Sequence, residues 1–114
     1  MNIEIQLEQL KKEVSNEIQN VLGNRLYKII LYGSYARGNF NSDSDIDIIV
    51  LADIDAPDMS KYRVMINDIA NRVSLEYNAL VVISIKNRQL FYNRLEILPF
   101  YQNVIKDGIE FYGN

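Results

Sequence analysis

The chain contains neither histidine nor cysteine among its 114 residues. Without imidazole or thiolate groups it cannot build the usual zinc sites, a Ser-His catalytic triad or a cysteine nucleophile. The lack of cysteine also excludes disulfide bonds, which is consistent with a reducing cytosol. Carboxylate side chains are therefore the remaining candidates for catalytic or metal-binding chemistry.

Long apolar runs and clustered basic residues are missing as well. No segment has the character of a signal peptide or a membrane-spanning helix, so we expect a soluble, cytoplasmic protein that binds no membrane. The formal net charge is −3, and the short basic run Lys11-Lys12 is followed at once by Glu13. Broad binding to nucleic acid depends on clustered Lys and Arg, and we do not expect it here.

The composition is that of an ordinary globular protein, with 48% hydrophobic and 24% charged residues. Apolar residues at helical spacing alternate along the chain with short β-branched runs. These patterns predict helices over 7–22, from Asp58 or Ser60 to 74–77, over 88–95 and from Pro99, and strands over 26–32, 46–51 and 78–85. We therefore expect one domain, 1–114, of the α+β (α/β) class, with a small mixed sheet flanked by helices.

A glycine-serine turn follows the first predicted strand. Gly33 has no Cβ, so the backbone there can turn sharply and approach a ligand, and Gly38 closes the turn. The residues between them are predicted to open a short helix whose N–H groups, with the Ser34 hydroxyl, bind a phosphate. Arg37 either adds positive charge to this phosphate site, or points to solvent, or pairs with a nearby aspartate.

An acidic segment leads into the second predicted strand. Side chains at i and i+2 leave a strand on the same face, so Asp45 and Asp47 project together, roughly 6 to 7 Å apart. Mg²⁺ prefers oxygen ligands, and a two-metal site holds its ions about 3.5 to 4 Å apart. Asp43 offers a second Asp-x-Asp register, and a solvated acidic turn that caps the strand is the alternative interpretation.

Together the two motifs resemble the signature of the polymerase-β-like nucleotidyltransferases, and among them the minimal nucleotidyltransferases. The matching segments are Gly33-Ser34-Tyr35-Ala36-Arg37-Gly38 and Ser44-Asp45-Ile46-Asp47-Ile48-Ile49-Val50. The likeness covers nearly the whole chain in length and element order. It selects Asp45 and Asp47 as the metal ligands, with Asp43 secondary. It also implies nucleotide binding by Gly33, Ser34 and Arg37, two Mg²⁺ ions, and ATP as the donor.

Such families usually complete the site with a third acidic residue on a later strand. The predicted strand over 78–85 contains no carboxylate. Either Glu76 is the third ligand and general base, or Asn78 stands in place of the acid. In the second case proton removal from the attacking hydroxyl is weakened, because an amide is not a general base near neutral pH. Glu76 is equally explained as an exposed residue at a helix end.

The resemblance also implies a partner. Minimal nucleotidyltransferases are commonly antitoxins of HEPN-type ribonuclease toxins, and some transfer AMP to a toxin tyrosine. The expected function is therefore adenylylation of a HEPN-type toxin by an antitoxin that forms a hetero-oligomer with it. One alternative is a catalytically inactive module that neutralises its partner by binding alone, as Asn78 in place of an acid would favour. Another is an enzyme that modifies a small hydroxylated molecule such as an aminoglycoside.

Overall fold

In the computed structural model, which describes residues 3–38, 41 and 43–113, helices and strands alternate along the chain. The elements are α1 (Ile3–Leu22), β1 (Leu26–Tyr32), α2 (Ser34–Arg37), β2 (Ile46–Ala52), α3 (Ala56–Tyr77), β3 (Val81–Asn87), α4 (Arg88–Asn93), α5 (Pro99–Asp107) and β4 (Ile109–Gly113). A 3₁₀ turn, Gly23–Arg25, joins α1 to β1. None of the helices in this described part is both long and apolar enough to cross a membrane.

The four strands form one mixed sheet in the order β3-β2-β1-β4. Strand β1 is antiparallel to both β2 and β4, whereas β2 and β3 are parallel. In this register Asp47 on β2 lies between Tyr32 on β1 and Val82 on β3. The end of β1 and the starts of β2 and β3 therefore meet at the same end of the sheet.

Helices cover both faces of the sheet because alternate strand residues point to opposite sides. On one face, Ile48 and Val50 pack with apolar residues of α1 and α3 in the larger core. On the other face, Ile49 and Leu51 pack with Phe91 of α4 and with residues of β1 and α5. Asp47 alternates in step with Ile49 and Leu51, so it lies on the face that α4 and α5 cover.

The predicted mixed sheet flanked by helices is confirmed, with shifts at several boundaries. Strand β3 begins at Val81 rather than at residue 78, because Asn78 has a left-handed backbone (φ 51°) that ends α3. Helix α3 begins at Ala56, with Pro57 in its first turn, where proline's missing N–H is not needed. Strand β4 was not predicted; it is a short edge strand with no buried residue.

Candidate active site

The turn between β1 and α2 is built by backbone groups. Gly33 has φ 80° and ψ −154°, a conformation that is essentially restricted to glycine. Its carbonyl oxygen accepts hydrogen bonds from the N–H groups of Ala36 and Arg37, both at 3.1 Å. Gly38 ends α2 in the left-handed conformation, and its N–H donates to the carbonyl of Ser34. The predicted short helix over 34–37 is therefore formed, with Ser34 at its start.

Asp47 lies against this turn. It is the β2 partner of Tyr32, the residue that precedes Gly33. A Cβ atom placed on Gly33 would lie 2.7 Å from Asp47 Oδ2 and 3.5 Å from its Cγ. The carboxylate therefore occupies space that is open only because residue 33 has no side chain. The glycine turn and the strand carboxylate form one structural unit.

Charges around Asp47 show which groups share this site. Burial raises the pKa of Asp47 above its ordinary value, the negative charge of Asp45 raises it further, and the Arg37 guanidinium lowers it. Asp47 is half-buried, whereas Asp45 and Arg37 are exposed. The structure thus brings Asp45 and Arg37 within electrostatic range of Asp47, which itself lies against Gly33. A bound cation would relieve the repulsion between the carboxylates.

The donor set fits a hard divalent cation. Mg²⁺ takes oxygen ligands and is usually held by one or two carboxylates together with substrate phosphates. Asp45 and Asp47 supply two such carboxylates. Within residues 3–38, 41 and 43–113, no three or more His, Cys, Asp or Glu side chains are grouped so that they could hold a metal ion. The site is therefore suited to a magnesium–nucleotide complex rather than to a metal enclosed by protein alone.

The two candidates for the third acidic position lie at the end of α3, and Asn78 lines a cavity together with Tyr35 and Ile46. Glu76, in the last turn of α3, interacts with Glu13 of α1; burial raises the pKa of Glu13, and a hydrogen bond with Glu76 raises it further. The charges that shift the Asp47 pKa belong to Asp45 and Arg37, not to Glu76. Within the described residues, Glu76 does not group with Asp45 and Asp47 into a set of three that could hold a metal ion, and its role as the third carboxylate stays a prediction. Asn78 provides the chain reversal after α3, and asparagine tolerates that conformation well.

Val82 is the β3 residue that pairs directly with Asp47. Paired residues on adjacent strands point to the same face, so Val82 stands beside the aspartate where a third carboxylate on β3 would be expected. Its side chain is 40% exposed. This residue was missed from the sequence, because identifying it requires the register between β2 and β3.

Exposed apolar residues lie next to Asp47 at the same end of the sheet. Val82 and Leu80 are exposed at the start of β3. Phe100 of α5 is 47% exposed and contacts Tyr32 edge-to-face, with ring centroids 5.2 Å apart. Tyr32 is in turn the strand partner of Asp47. We call Leu80, Val82 and Phe100 the apolar border.

The electrostatic effect of Arg37 on Asp47 can be measured as a change in the Asp47 pKa. Replacing it in Arg37→Gln is expected to raise the Asp47 pKa, because the one charge that favours the ionised carboxylate is removed. An NMR pH titration of the Asp47 side-chain carboxyl carbon in metal-free protein measures this change. Lys12→Gln, which removes an equal charge on α1, should leave the midpoint unchanged. An unchanged midpoint in Arg37→Gln would mean that its side chain points to solvent.

Comparison with known proteins identifies the class to which this fold and site belong. The family model for the nucleotidyltransferase domain matches residues 7–110. The chain therefore belongs to the nucleotidyltransferase family, a class of enzymes, and the resemblance noted in its sequence is confirmed. Two proteins of Methanocaldococcus jannaschii, each named "putative protein adenylyltransferase", are similar to it. One is 31% identical over 97 residues, covering 85% of this chain and 89% of the relative; the other is 34% identical over 99 residues, covering 87% and 92%.

Solved structures share the fold at lower identity. A Sulfolobus solfataricus nucleotidyltransferase structure has a TM-score of 0.66 at 20% identity, covering 96% of this chain and 83% of that one. A toxin–antitoxin structure with AMP-PNP has a TM-score of 0.60 at 21% identity, covering 91% and 73%. A complex of a tri-AMPylated Shewanella oneidensis HEPN toxin with its MNT antitoxin has a TM-score of 0.56 at 19% identity, covering 94% and 72%.

Proposed function

We propose that this protein is an antitoxin that transfers AMP from ATP to a tyrosine of a HEPN-type ribonuclease partner. The observation on which the proposal rests is the position of Asp47 against the Gly33 turn, with Asp45 close enough to raise its pKa. The names of the two relatives support adenylyl transfer. The toxin–antitoxin structures with the same fold support the choice of partner.

Each polar residue of the site has a role in this proposal. Asp45 and Asp47 would hold Mg²⁺, as two ions, and bound magnesium supplies neutralisation of the charge that develops on the phosphate oxygens. The hydroxyl of Ser34, at the start of α2, donates a hydrogen bond to the triphosphate. Arg37 lies close enough to shift the Asp47 pKa, so its guanidinium can bind the same phosphates with paired N–H donors.

The reaction is an in-line displacement at the α-phosphorus. The acceptor oxygen forms a bond to that phosphorus, and the bond from the phosphorus to the oxygen bridging the α- and β-phosphates breaks. Pyrophosphate leaves with that electron pair, and the acceptor hydroxyl loses its proton. The residues of this chain contribute alignment and charge neutralisation, which supply most of the catalysis in phosphoryl-type transfer.

The absence of a third carboxylate beside Asp47, among the described residues, affects which acceptor hydroxyl the site can use. Val82 stands beside Asp47 where a general base could be, so the acceptor must lose its proton with little help from a side chain of this chain. A tyrosine phenol has a pKa of about 10 and ionises far more readily than an aliphatic alcohol. The site therefore favours a phenolic acceptor over serine, threonine or a sugar hydroxyl.

The apolar border suits an acceptor that is part of a protein. Its three side chains are 40 to 57% exposed; Val82 is a strand partner of Asp47, and Phe100 contacts Tyr32, the other strand partner. Burying them against a helical partner would position the tyrosine and produce a hetero-oligomer, because apolar area removed from water stabilises association. A donor such as ATP and a partner that cleaves RNA both support a cytoplasmic location for this activity.

The direct test is a transfer assay with ATP labelled at the α-phosphate, Mg²⁺ and a purified HEPN-type ribonuclease that binds this chain. We expect label on the partner, at a tyrosine identified by mass spectrometry, and none when that tyrosine is replaced by phenylalanine. Aminoglycosides offered under the same conditions should gain no mass. An unlabelled partner, under conditions where the two proteins bind each other, would refute the enzymatic part of the proposal.

Val82 beside Asp47 also favours a second candidate function, in which the chain neutralises its partner by binding alone. The two functions differ in their dependence on the carboxylates. If the double variant Asp45→Asn/Asp47→Asn still neutralises the partner fully and binds it with unchanged affinity, binding alone is sufficient. If neutralisation is lost while binding persists, transfer is required.

A further inference from the structure

A second cavity lies at the other end of the sheet from the aspartates. It has a volume of about 400 Å³ and is formed by the end of β3 together with residues of α3 and α4. Strand β2 advances five residues from Asp47 to Ala52, roughly 17 Å at about 3.3 Å per residue. Ile54, just beyond the end of β2, lines this cavity. The cavity is therefore separate from the candidate active site.

Three cationic side chains line this cavity, and no acidic residue does. They are Arg63 of α3, Lys86 of β3 and Arg94, which follows α4. In the described part of the chain, none of the three takes part in an ion pair. The whole protein carries a formal charge of −3 with 12 Lys and Arg residues, so the concentration of three of them here is a local reversal of sign. A cleft lined by one sign of charge attracts ligands of the opposite sign.

The walls of the cavity are held in place by hydrogen bonds and packing. The Asn87 amide donates to the Ile54 carbonyl at 2.6 Å, and its side-chain oxygen accepts the Leu90 N–H at 3.0 Å. These bonds fasten the loop before α3 to the start of α4. Phe91 is 1% exposed and stacks on Tyr101 with ring centroids 4.4 Å apart. The cavity therefore has a fixed apolar wall beside its cationic side chains.

We propose that this cavity binds an organic phosphate of mononucleotide size. A phosphate monoester carries about −1.5 to −2 charges at pH 7, which three cations can neutralise, whereas one carboxylate would leave two of them unmatched. The paired N–H donors of an arginine guanidinium match the spacing of phosphate oxygens. The apolar wall can pack against the aromatic or aliphatic part of the ligand. The volume also falls within the range of about 300 to 1,000 Å³ that is usual for small-ligand sites. Binding here does not depend on the transferase function.

The test is an NMR titration of the isotopically labelled protein with AMP and, separately, inorganic phosphate, in EDTA and at physiological salt. Asp45→Asn/Asp47→Asn serves as the background, so that the candidate active site contributes little. We expect saturable AMP shifts at the amides of Ile54, Lys86 and Leu90. Arg63→Gln/Lys86→Gln should weaken AMP binding by about tenfold or more, because charge-assisted hydrogen bonds are lost.

The matched control is Lys11→Gln/Lys12→Gln, which removes the same two charges from α1, whose residues do not line the cavity. It should change AMP affinity by less than about twofold, because exposed charges at a distance are screened. Equal weakening by both double variants would overturn the proposal, as would shifts confined to residues 33–38. If inorganic phosphate bound as tightly as AMP, the proposal that the ligand is an organic phosphate would be refuted. A glutamate-rich peptide that binds there more tightly than AMP would instead assign the cavity to an acidic segment of a protein.

Discussion

Asp45→Asn and Asp47→Asn, made singly, should each lower the rate of AMP transfer by roughly 10³-fold, which corresponds to about 4 kcal/mol of transition-state stabilisation. Each substitution keeps the size of the side chain and removes the charge that would hold magnesium. Within the described residues, no third carboxylate is grouped with these two so that it could replace one of them as a metal ligand. The measurement is the initial rate of label transfer to the partner at saturating ATP.

Two acidic residues provide matched controls. Asp43→Asn changes the other Asp-x-Asp register, and Glu76→Gln changes a carboxylate that interacts with Glu13 instead. Both should retain transfer within about threefold of the unchanged protein, since most surface substitutions have small effects. A loss at Asp43 as large as that at Asp45 would mean that the metal ligands are in the other register. A comparable loss at Glu76 would restore it as the general base.

Loss of activity in Asp47→Asn should not be caused by unfolding. The folded protein raises the Asp47 pKa, so the ionised carboxylate is less favourable in the folded than in the unfolded state above that pKa. Removing the charge should therefore raise the free energy of unfolding at pH 7 in metal-free protein. The gain should shrink as the pH falls through the Asp47 pKa, where the carboxyl becomes protonated. Urea denaturation at several pH values measures both effects.

The parts of the site that could be predicted are those encoded locally. The strand at Leu26–Tyr32 was predicted with the bounds that it has, because a β-branched run followed by glycine is a local signal. The pairing of Asp45 with Asp47 follows from the two-residue period of a strand. For Arg37 the sequence leaves three possibilities open: the phosphate site, solvent, or a pair with a nearby aspartate. Only the fold shows its effect on the Asp47 pKa.

The rest depends on register and packing between distant segments. Val82 is recognisable as the neighbour of Asp47 only when β3 is known to begin at Val81, and that start is set by the left-handed Asn78. Phe100 reaches the site because α5 packs on β1, more than 60 residues away in sequence. Short apolar runs carry no information about which strand they join. The sequence therefore could not predict that the three residues of the apolar border lie together.

Gly33→Ala should be the most damaging substitution outside the carboxylates, lowering the transfer rate by about 100-fold or more. The added Cβ would lie 2.7 Å from Asp47 Oδ2, so either the carboxylate or the turn must move. A misplacement of about 1 Å in a catalytic group is enough for a 100-fold loss. The backbone at φ 80° and ψ −154° should also cost about 1 to 3 kcal/mol of stability with any side chain. Transfer rates and urea denaturation measure the two effects.

Gly23→Ala separates backbone strain from the steric effect. Gly23 also has a positive φ, 57°, but a Cβ there meets no atom within 4 Å. It should lose about 1 to 2 kcal/mol of stability and no activity. Combining Gly33→Ala with Asp47→Asn then tests the mechanism, because two changes that act through one carboxylate are not additive. If the glycine matters by positioning Asp47, its substitution should cost little further rate in the Asp47→Asn protein. A full second 100-fold loss would mean that Gly33 acts instead through the approach of the nucleotide phosphates to its backbone.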